Sequence, residues 1–186
     1  MSARRRAVLS VGANLGDRLG TLQGCVEALG RLRETEVLAV SPVYETAPVG
    51  GPSQPDYLNA VVIVATGLSP AGLLAVVNRI EADFGRVRPP DPAAVRFGPR
   101  TLDIDIISFA EEISADPVLT LPHPRAHERA FVLAPWHDLD PGARLPGRGP
   151  VADLLAGASL GGANLSGQDI SRRADLTLSL PAGPAQ

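Results

Sequence analysis

Arg96-Phe97-Gly98-Pro99-Arg100-Thr101-Leu102-Asp103-Ile104-Asp105-Ile106-Ile107 is the stretch from which the rest of the chain can be read. Leu102, Ile104 and Ile106 alternate with Thr101, Asp103 and Asp105, the period-2 pattern of a half-buried β-strand. Residues two apart on a strand point to one face, so Asp103 and Asp105 stand side by side with Cα atoms roughly 7 Å apart. Two carboxylates that close repel unless a cation lies between them. Mg2+ meets that need, because it is a hard cation that takes carboxylate oxygens and leaves positions for substrate phosphates. Arg96 and Arg100 enter the same strand, and the guanidinium fork matches phosphate oxygens. Metal-binding acids beside phosphate-binding arginines point to phosphoryl or nucleotidyl transfer. The alternative at this point is a surface strand whose acids pair with the nearby arginines.

Working outward, residues 7–11 form a short apolar strand that ends in Gly12-Ala13-Asn14-Leu15-Gly16, residues tolerant of positive φ. A helix follows with Asp17 as N-cap and Leu19, Leu22, Val26, Leu29 and Leu32 on one stripe. Residues 37–40 read as a second strand, interrupted at Ser41-Pro42 and resumed at 43–46 before a loop rich in Pro and Gly. Residues 57–66 are almost wholly apolar and β-branched, as in a central strand buried on both faces. Ser69-Pro70 starts a second helix, with Leu73, Leu74, Val77, Ile80 and Phe84 as its apolar stripe and Gly85 as its stop. Pro89, Pro90 and Pro92 make 86–96 an irregular loop, and its arginines suit a lid that closes over polyphosphate. After the Asp-rich strand come a strand over 118–121, a short helix from about His127 and a weak helix over 151–155. The order β-α-β-β-α-β predicts a ferredoxin-like α+β fold, an antiparallel sheet with helices packed on it.

The 186 residues predict one domain over 1–160. Residues 161–186, rich in Gly, Ala and Ser, read as a poorly ordered tail that catalysis can spare, with docking of the alternating Leu176, Leu178 and Leu180 on the sheet as the competing possibility. A net charge of −3 argues against general binding to nucleic acid or membrane. All 17 basic side chains are arginine, which excludes a P-loop lysine and Schiff-base chemistry. The single Cys25 lies in the first helix and cannot form an intramolecular disulfide. No signal-peptide core and no apolar run of ~18 residues is present, so a cytoplasmic location is expected.

Several further blocks resemble one family. The stretch from Arg96 to Ile107 is similar to the signature of 6-hydroxymethyl-7,8-dihydropterin pyrophosphokinases, and Gly12-Ala13-Asn14-Leu15-Gly16-Asp17 resembles their first glycine loop. Tyr44-Glu45-Thr46-Ala47-Pro48 and Gln54-Pro55-Asp56-Tyr57-Leu58-Asn59-Ala60 resemble their pterin loop and the following strand. Leu121-Pro122-His123-Pro124 and Arg129-Ala130-Phe131-Val132-Leu133-Ala134-Pro135 resemble their last characteristic block, and the blocks occur in the family's order.

The resemblance implies transfer of pyrophosphate from Mg·ATP to a pterin hydroxymethyl group, with release of AMP, in folate biosynthesis. It implies two Mg2+ on Asp103 and Asp105 and a catalytic set of Arg86, Arg96, Arg100, Asp103 and Asp105. Two metals can stabilise both the attacking and the leaving oxygen of an in-line displacement, so no histidine base is required. Phe97 and Phe131 would sandwich the pterin, Asn59 would bond its edge, and Thr46, Pro48, Val49 and Tyr57 would complete the pocket. Asn78, Glu81, Arg88, Arg100, Ile106, Thr120, His123 and Arg129 map to the ATP side. The chain departs from the family at Phe97, where tryptophan is common, at Pro124, where an aromatic is frequent, and at Val118, where an arginine can reach ATP. The expected partners are therefore small molecules, and other enzymes of the pathway are left open.

Two other classes fit parts of the pattern. A nucleotidyltransferase with an acidic strand on the same kind of sheet would release pyrophosphate and leave AMP on the acceptor. A ferredoxin-like RNA-binding module would need exposed aromatics on adjacent strands, yet aromatics are 4% of the chain.

Overall fold

The computed structural model describes residues 3–48, 53–86, 98–159 and 169–182. Strand β1 (Arg5–Ala13) leads to helix α1 (Arg18–Gly30), then β2 (Thr35–Val40), β3 (Tyr44–Thr46) and β4 (Tyr57–Thr66). Helix α2 (Pro70–Asp83) connects β4 to β5 (Asp103–Phe109), the acidic strand. β4 and β1 lie at the centre, β5 pairs with β1, and β2 and β3 pair with successive parts of β4, all antiparallel. This is the α+β, ferredoxin-like arrangement expected.

The helix boundaries follow from local chemistry. The Asp17 carboxylate accepts the Gly20 N–H at 3.0 Å, and the Ser69 hydroxyl accepts the Gly72 N–H at 3.1 Å with Pro70 opening α2. Gly85, at φ +80°, ends α2 in a left-handed conformation that a side chain would strain. The break between β2 and β3 has an equally direct cause. Pro42 has no N–H for the ladder, and Ser41 turns its hydroxyl inward to accept the Val61 N–H at 2.8 Å.

β4 is buried on both faces. Leu58, Ala60, Val62 and Val64 join the core beneath α1 and α2, while Val61 and Ile63 pack against a second core. That second core draws on α3 (Ala130–Leu139) and α4 (Val151–Ser159), through Val132, Leu133, Trp136 and Val151. The sheet is thus the middle of three layers. Two small hairpins complete the fold: β6 (Ser114–Ala115) with β7 (Thr120–Leu121), whose Leu121 joins the core under α1 and α2, and β8 (Arg144–Leu145) with β9 (Gly149–Pro150), whose Leu145 joins the second core. No helix among the described residues is long and apolar enough to cross a membrane.

Three expectations need correction. The strand expected over 118–121 is only β7, because Asp116 captures the Val118 N–H at 2.8 Å and leaves Val118 77% exposed. The helix expected from His127 is a single 3-10 turn, Ala126–Glu128, followed by α3, since Arg129 between them is extended. The tail from 161 is not wholly unordered: β10 (Ile170–Arg172) pairs with β3, and Leu178 is buried in the core under α1 and α2. The docking strand precedes the alternating leucines, and Leu180 stays 54% exposed.

Candidate active site

The second-core face of the sheet is only partly covered by α3 and α4. Along β5 the residues on that face are Asp103 and Asp105; in register across β1 stand Gly12 and Ser10, then Asn59 on β4 and Tyr44 on β3. Tyr57 and Thr46 pair one step further along. This uncovered end is a cavity of about 160 Å³, with Asp103, Asp105, Arg100, Arg125 and Arg129 toward one side and Thr46, Ala47, Pro48, Tyr57, Asn59 and Phe131 toward the other. Gly12 is required by close approach: a Cβ there would lie 2.8 Å from the Asn59 side-chain oxygen.

Both carboxylates are held by guanidinium groups. Asp103 accepts from Arg86 and Arg100, and Asp105 accepts from Arg129 at 2.6 Å, with His123 Nε2 3.9 Å away. Burial pushes the Asp103 carboxyl up, but Arg100 and Arg86 outweigh it and hold the group below the usual carboxylate range. His123 is held below its ordinary value, first by burial and then by Arg129, so it is neutral near pH 7. The ion pairs of a plain surface strand are therefore present. What such a strand does not explain is why they line a cavity whose opposite wall is aromatic and amide.

That opposite wall is braced internally. The Asn59 amide donates to the Thr46 hydroxyl at 2.8 Å, and the Tyr57 hydroxyl reaches Gln54 at 3.3 Å and the Gly98 carbonyl at 3.2 Å. Arg129 lies 5.5 Å from the Phe131 ring centre, tying the basic and aromatic sides together.

Four expected nucleotide contacts do not line this cavity. Glu81 does not reach the cavity; it is 1% exposed and accepts from Arg86 and from the Ile104 N–H at 2.8 Å, bracing the strand that carries the aspartates. Ile106 has its side chain in the core under α1 and α2, because it alternates with Asp105. Asn78 on α2 and Thr120 on β7, whose hydroxyl donates to the Asp116 carbonyl at 3.0 Å, do not line the cavity. Val49, Arg88, Arg96 and Phe97, with the 86–96 lid beyond Arg86, lie outside the described residues.

Asn14 is an addition. It is 1% exposed; its side-chain oxygen accepts the Arg100 N–H at 2.8 Å, and its amide donates to Gln54 at 2.9 Å and the Pro55 carbonyl at 3.1 Å. One buried amide thus links the loops of the acidic and aromatic sides. The signal was present in the first glycine loop, but an Asn beside glycines ordinarily reads as a turn residue. Ser10 is a further addition; it lines the cavity, as does Arg125.

Same-face carboxylates held by arginines, beside a cavity lined by an amide and aromatic rings, suit an enzyme that transfers phosphoryl groups. The sequence matches the family described as 7,8-dihydro-6-hydroxymethylpterin-pyrophosphokinase (HPPK) over residues 8–141, and the chain belongs to it. It is 41% identical over 152 residues to the 2-amino-4-hydroxy-6-hydroxymethyldihydropteridine pyrophosphokinase of Pseudomonas aeruginosa, covering 82% of this chain and 91% of that one. With the Mycobacterium leprae protein of the same name it shares 44% identity over 163 residues, 81% of each chain. Its fold resembles the crystal structure of Plasmodium falciparum HPPK-DHPS wild type with pterin and p-hydroxybenzoate at a TM-score of 0.67. That match is 15% identical and covers 92% of this chain but 45% of the other, so this chain spans under half of the larger polypeptide and the likeness is one of fold.

Proposed function

We propose that the cavity over Asp103 and Asp105 is where this chain transfers pyrophosphate from ATP to the hydroxymethyl group of 6-hydroxymethyl-7,8-dihydropterin, releasing AMP, as a step of folate biosynthesis. The observation that carries the site assignment is the pair of same-face carboxylates, each held by arginine, opposite the Asn59–Thr46–Phe131 wall.

The donor set fits a hard divalent cation. Among the described residues no His, Cys, Asp or Glu joins the two aspartates as a third ligand, which leaves coordination positions for phosphate and water oxygens. Asp103 and Asp105 would hold two Mg2+, which supply charge neutralisation on the polyphosphate and a more acidic acceptor hydroxyl.

The chain's own residues do the rest. Arg86, Arg100 and Arg129 neutralise the carboxylates and exchange to phosphate oxygens when the nucleotide arrives, so the site never holds unbalanced charge. Arg88 and Arg96 extend that set. Neutral His123 can donate a hydrogen bond to a phosphate oxygen without adding a full charge. Phe131 and Phe97 stack on the pterin, and Asn59, oriented by its bond to Thr46, presents its free amide hydrogen and its oxygen to the ring edge. Two neutral faces and one polar edge orient the acceptor carbon toward the arginines, an effect of position rather than of proton transfer. We place the reaction in the cytoplasm, where the buried, unpaired Cys25 is stable.

Product analysis tests the reading. With ATP, Mg2+ and the hydroxymethyl-dihydropterin, AMP and a pterin diphosphate should form in equal amounts. Release of inorganic pyrophosphate with AMP left on the acceptor would point instead to nucleotidyl transfer.

A further inference from the structure

The family match stops at residue 141, yet the segment 169–182 is built against β3, the strand that brings Thr46 to the cavity. β3 is three residues long and carries Thr46, whose hydroxyl holds the Asn59 amide at 2.8 Å. One side of β3 pairs with β4; its other side would be an open edge but for β10, in the register Ile170 to Thr46, Ser171 to Glu45 and Arg172 to Tyr44. The pairing continues at both ends, with the Ala47 N–H bonded to the Asp169 carbonyl at 3.2 Å and the Arg173 N–H to the Val43 carbonyl at 2.9 Å.

Side chains clamp this edge on both faces of the sheet. On the α1 side Glu45 accepts from Arg18 at 2.8 Å and from Arg173 at 2.6 Å, and Asp175 holds the remaining edge of Arg173 at 2.9 and 2.7 Å. Arg18 also donates to the Asp56 carbonyl at 2.7 Å, so the same clamp reaches the start of β4. On the cavity side Asp138 of α3 takes the Tyr44 hydroxyl at 2.8 Å and faces Arg172 at 3.4 Å. Leu178 in the core and the paired Gln23–Ser179 bonds at 2.9 and 3.3 Å anchor the segment beyond the clamps. Two arginines adjacent in sequence alternate across the sheet, and each meets a carboxylate from a different layer.

We propose that the C-terminal segment is a strap that sets the acceptor side of the active site, with Arg173 and Arg172 as positioning residues for the pterin. They act through β3 and Thr46 on the orientation of Asn59, and they touch neither substrate. The proposal rests on the reading of the Thr46–Asn59 wall as the pterin pocket. The ATP-side groups Asp103, Asp105 and Arg86 hang on β5 and the end of α2, which carry none of the strap's clamps, and Arg129 stands at the N-terminal end of α3, the far end from the Asp138 that meets Arg172. The effect is therefore selective between the two substrates.

Steady-state kinetics of the full chain, with each substrate varied in turn, separates these roles. Arg173→Ala and, independently, Arg172→Ala should raise KM for the pterin roughly three- to tenfold while KM for ATP and kcat move little. Arg173→Lys should recover most of the loss by keeping the charge on Glu45. Asn59→Ala is run alongside and should raise pterin KM more than either arginine variant. If Asn59→Ala raises pterin KM and both arginine variants leave it unchanged, the strap has no positioning role although the pocket reading stands. If Asn59→Ala has no effect, the pocket reading falls and the strap's role falls with it. Equal rises in both KM values, or a loss that Lys at 173 does not repair, would mean only a general loosening of the fold and overturn the proposal.

Discussion

Asp103 and Asp105 hang on one face of β5 because a strand alternates, and Ile104 and Ile106 are in the core for the same reason. Neutralising either acid removes a hard oxygen ligand while leaving the alternation intact. Asp103→Asn and Asp105→Asn should each lower kcat by roughly a hundredfold or more, with the far-ultraviolet dichroism unchanged. Near wild-type turnover at saturating Mg2+ in either variant would remove that aspartate from the chemistry. Glu81 makes the opposite prediction. Its buried carboxylate holds Arg86 and the Ile104 N–H, so Glu81→Ala strands the Ile104 N–H in the interior and leaves Arg86 to Asp103. Leaving a buried N–H without its acceptor costs about 1–3 kcal/mol, visible as a lowered denaturation midpoint. A nucleotide contact would instead raise KM for ATP and leave the midpoint alone. Sequence spacing could not separate the two, since a polar residue on a helix looks the same whether it faces solvent or an arginine brought in from the following loop.

Elements with a strong local pattern were legible: α1 and α2 from their caps and apolar stripes, β4 from its run of β-branched residues, β5 from its alternation. From these the α+β class and the side-by-side aspartates followed. β10 was not legible, because Ile-Ser-Arg carries no period and its partner β3 lies more than a hundred residues away. The Gly- and Ala-rich composition around it spoke for a loose tail, and only tertiary pairing overrides that signal. Deleting residues 169–186 should therefore lower the melting temperature, in contrast to a dispensable tail. Exposing Leu178 alone costs about 2 kcal/mol, enough to shift Tm by roughly 5 °C in a chain of this size. Calorimetry on the two forms measures it, and matching transitions would show that the segment contributes nothing to the fold. The β2–β3 break offers a finer test of element chemistry. Ser41→Ala leaves the buried Val61 N–H without its acceptor from Ser41, at a cost of about 1–3 kcal/mol in chemical denaturation.

Across the whole molecule, three layers share two neutral, buried groups that titrate only in alkali. Cys25 sits in the core of α1, and burial, reinforced by Glu81, raises its thiol from 9.0 to about 12. Tyr44 joins β3 to α3 through Asp138, and burial together with that carboxylate raises its phenol from 10.0 to about 12. Both folded values lie above the unfolded ones. The stability these groups contribute is complete below the unfolded pKa and is lost as pH rises toward the folded pKa. Between pH 9 and 10 the unfolded chain releases the Cys25 proton while the native chain keeps it, so stability begins to fall. Between pH 10 and 12 Tyr44 adds its share, and the slope steepens. Denaturant midpoints measured from pH 7 to 11.5 should show this two-stage decline. Cys25→Ala should delay its onset to about pH 10, and Tyr44→Phe should reduce the steep upper part, each at some fixed cost in packing at pH 7. A decline with the same onset and slope in both variants and the parent would mean that neither group is buried in its neutral form as the structure has it.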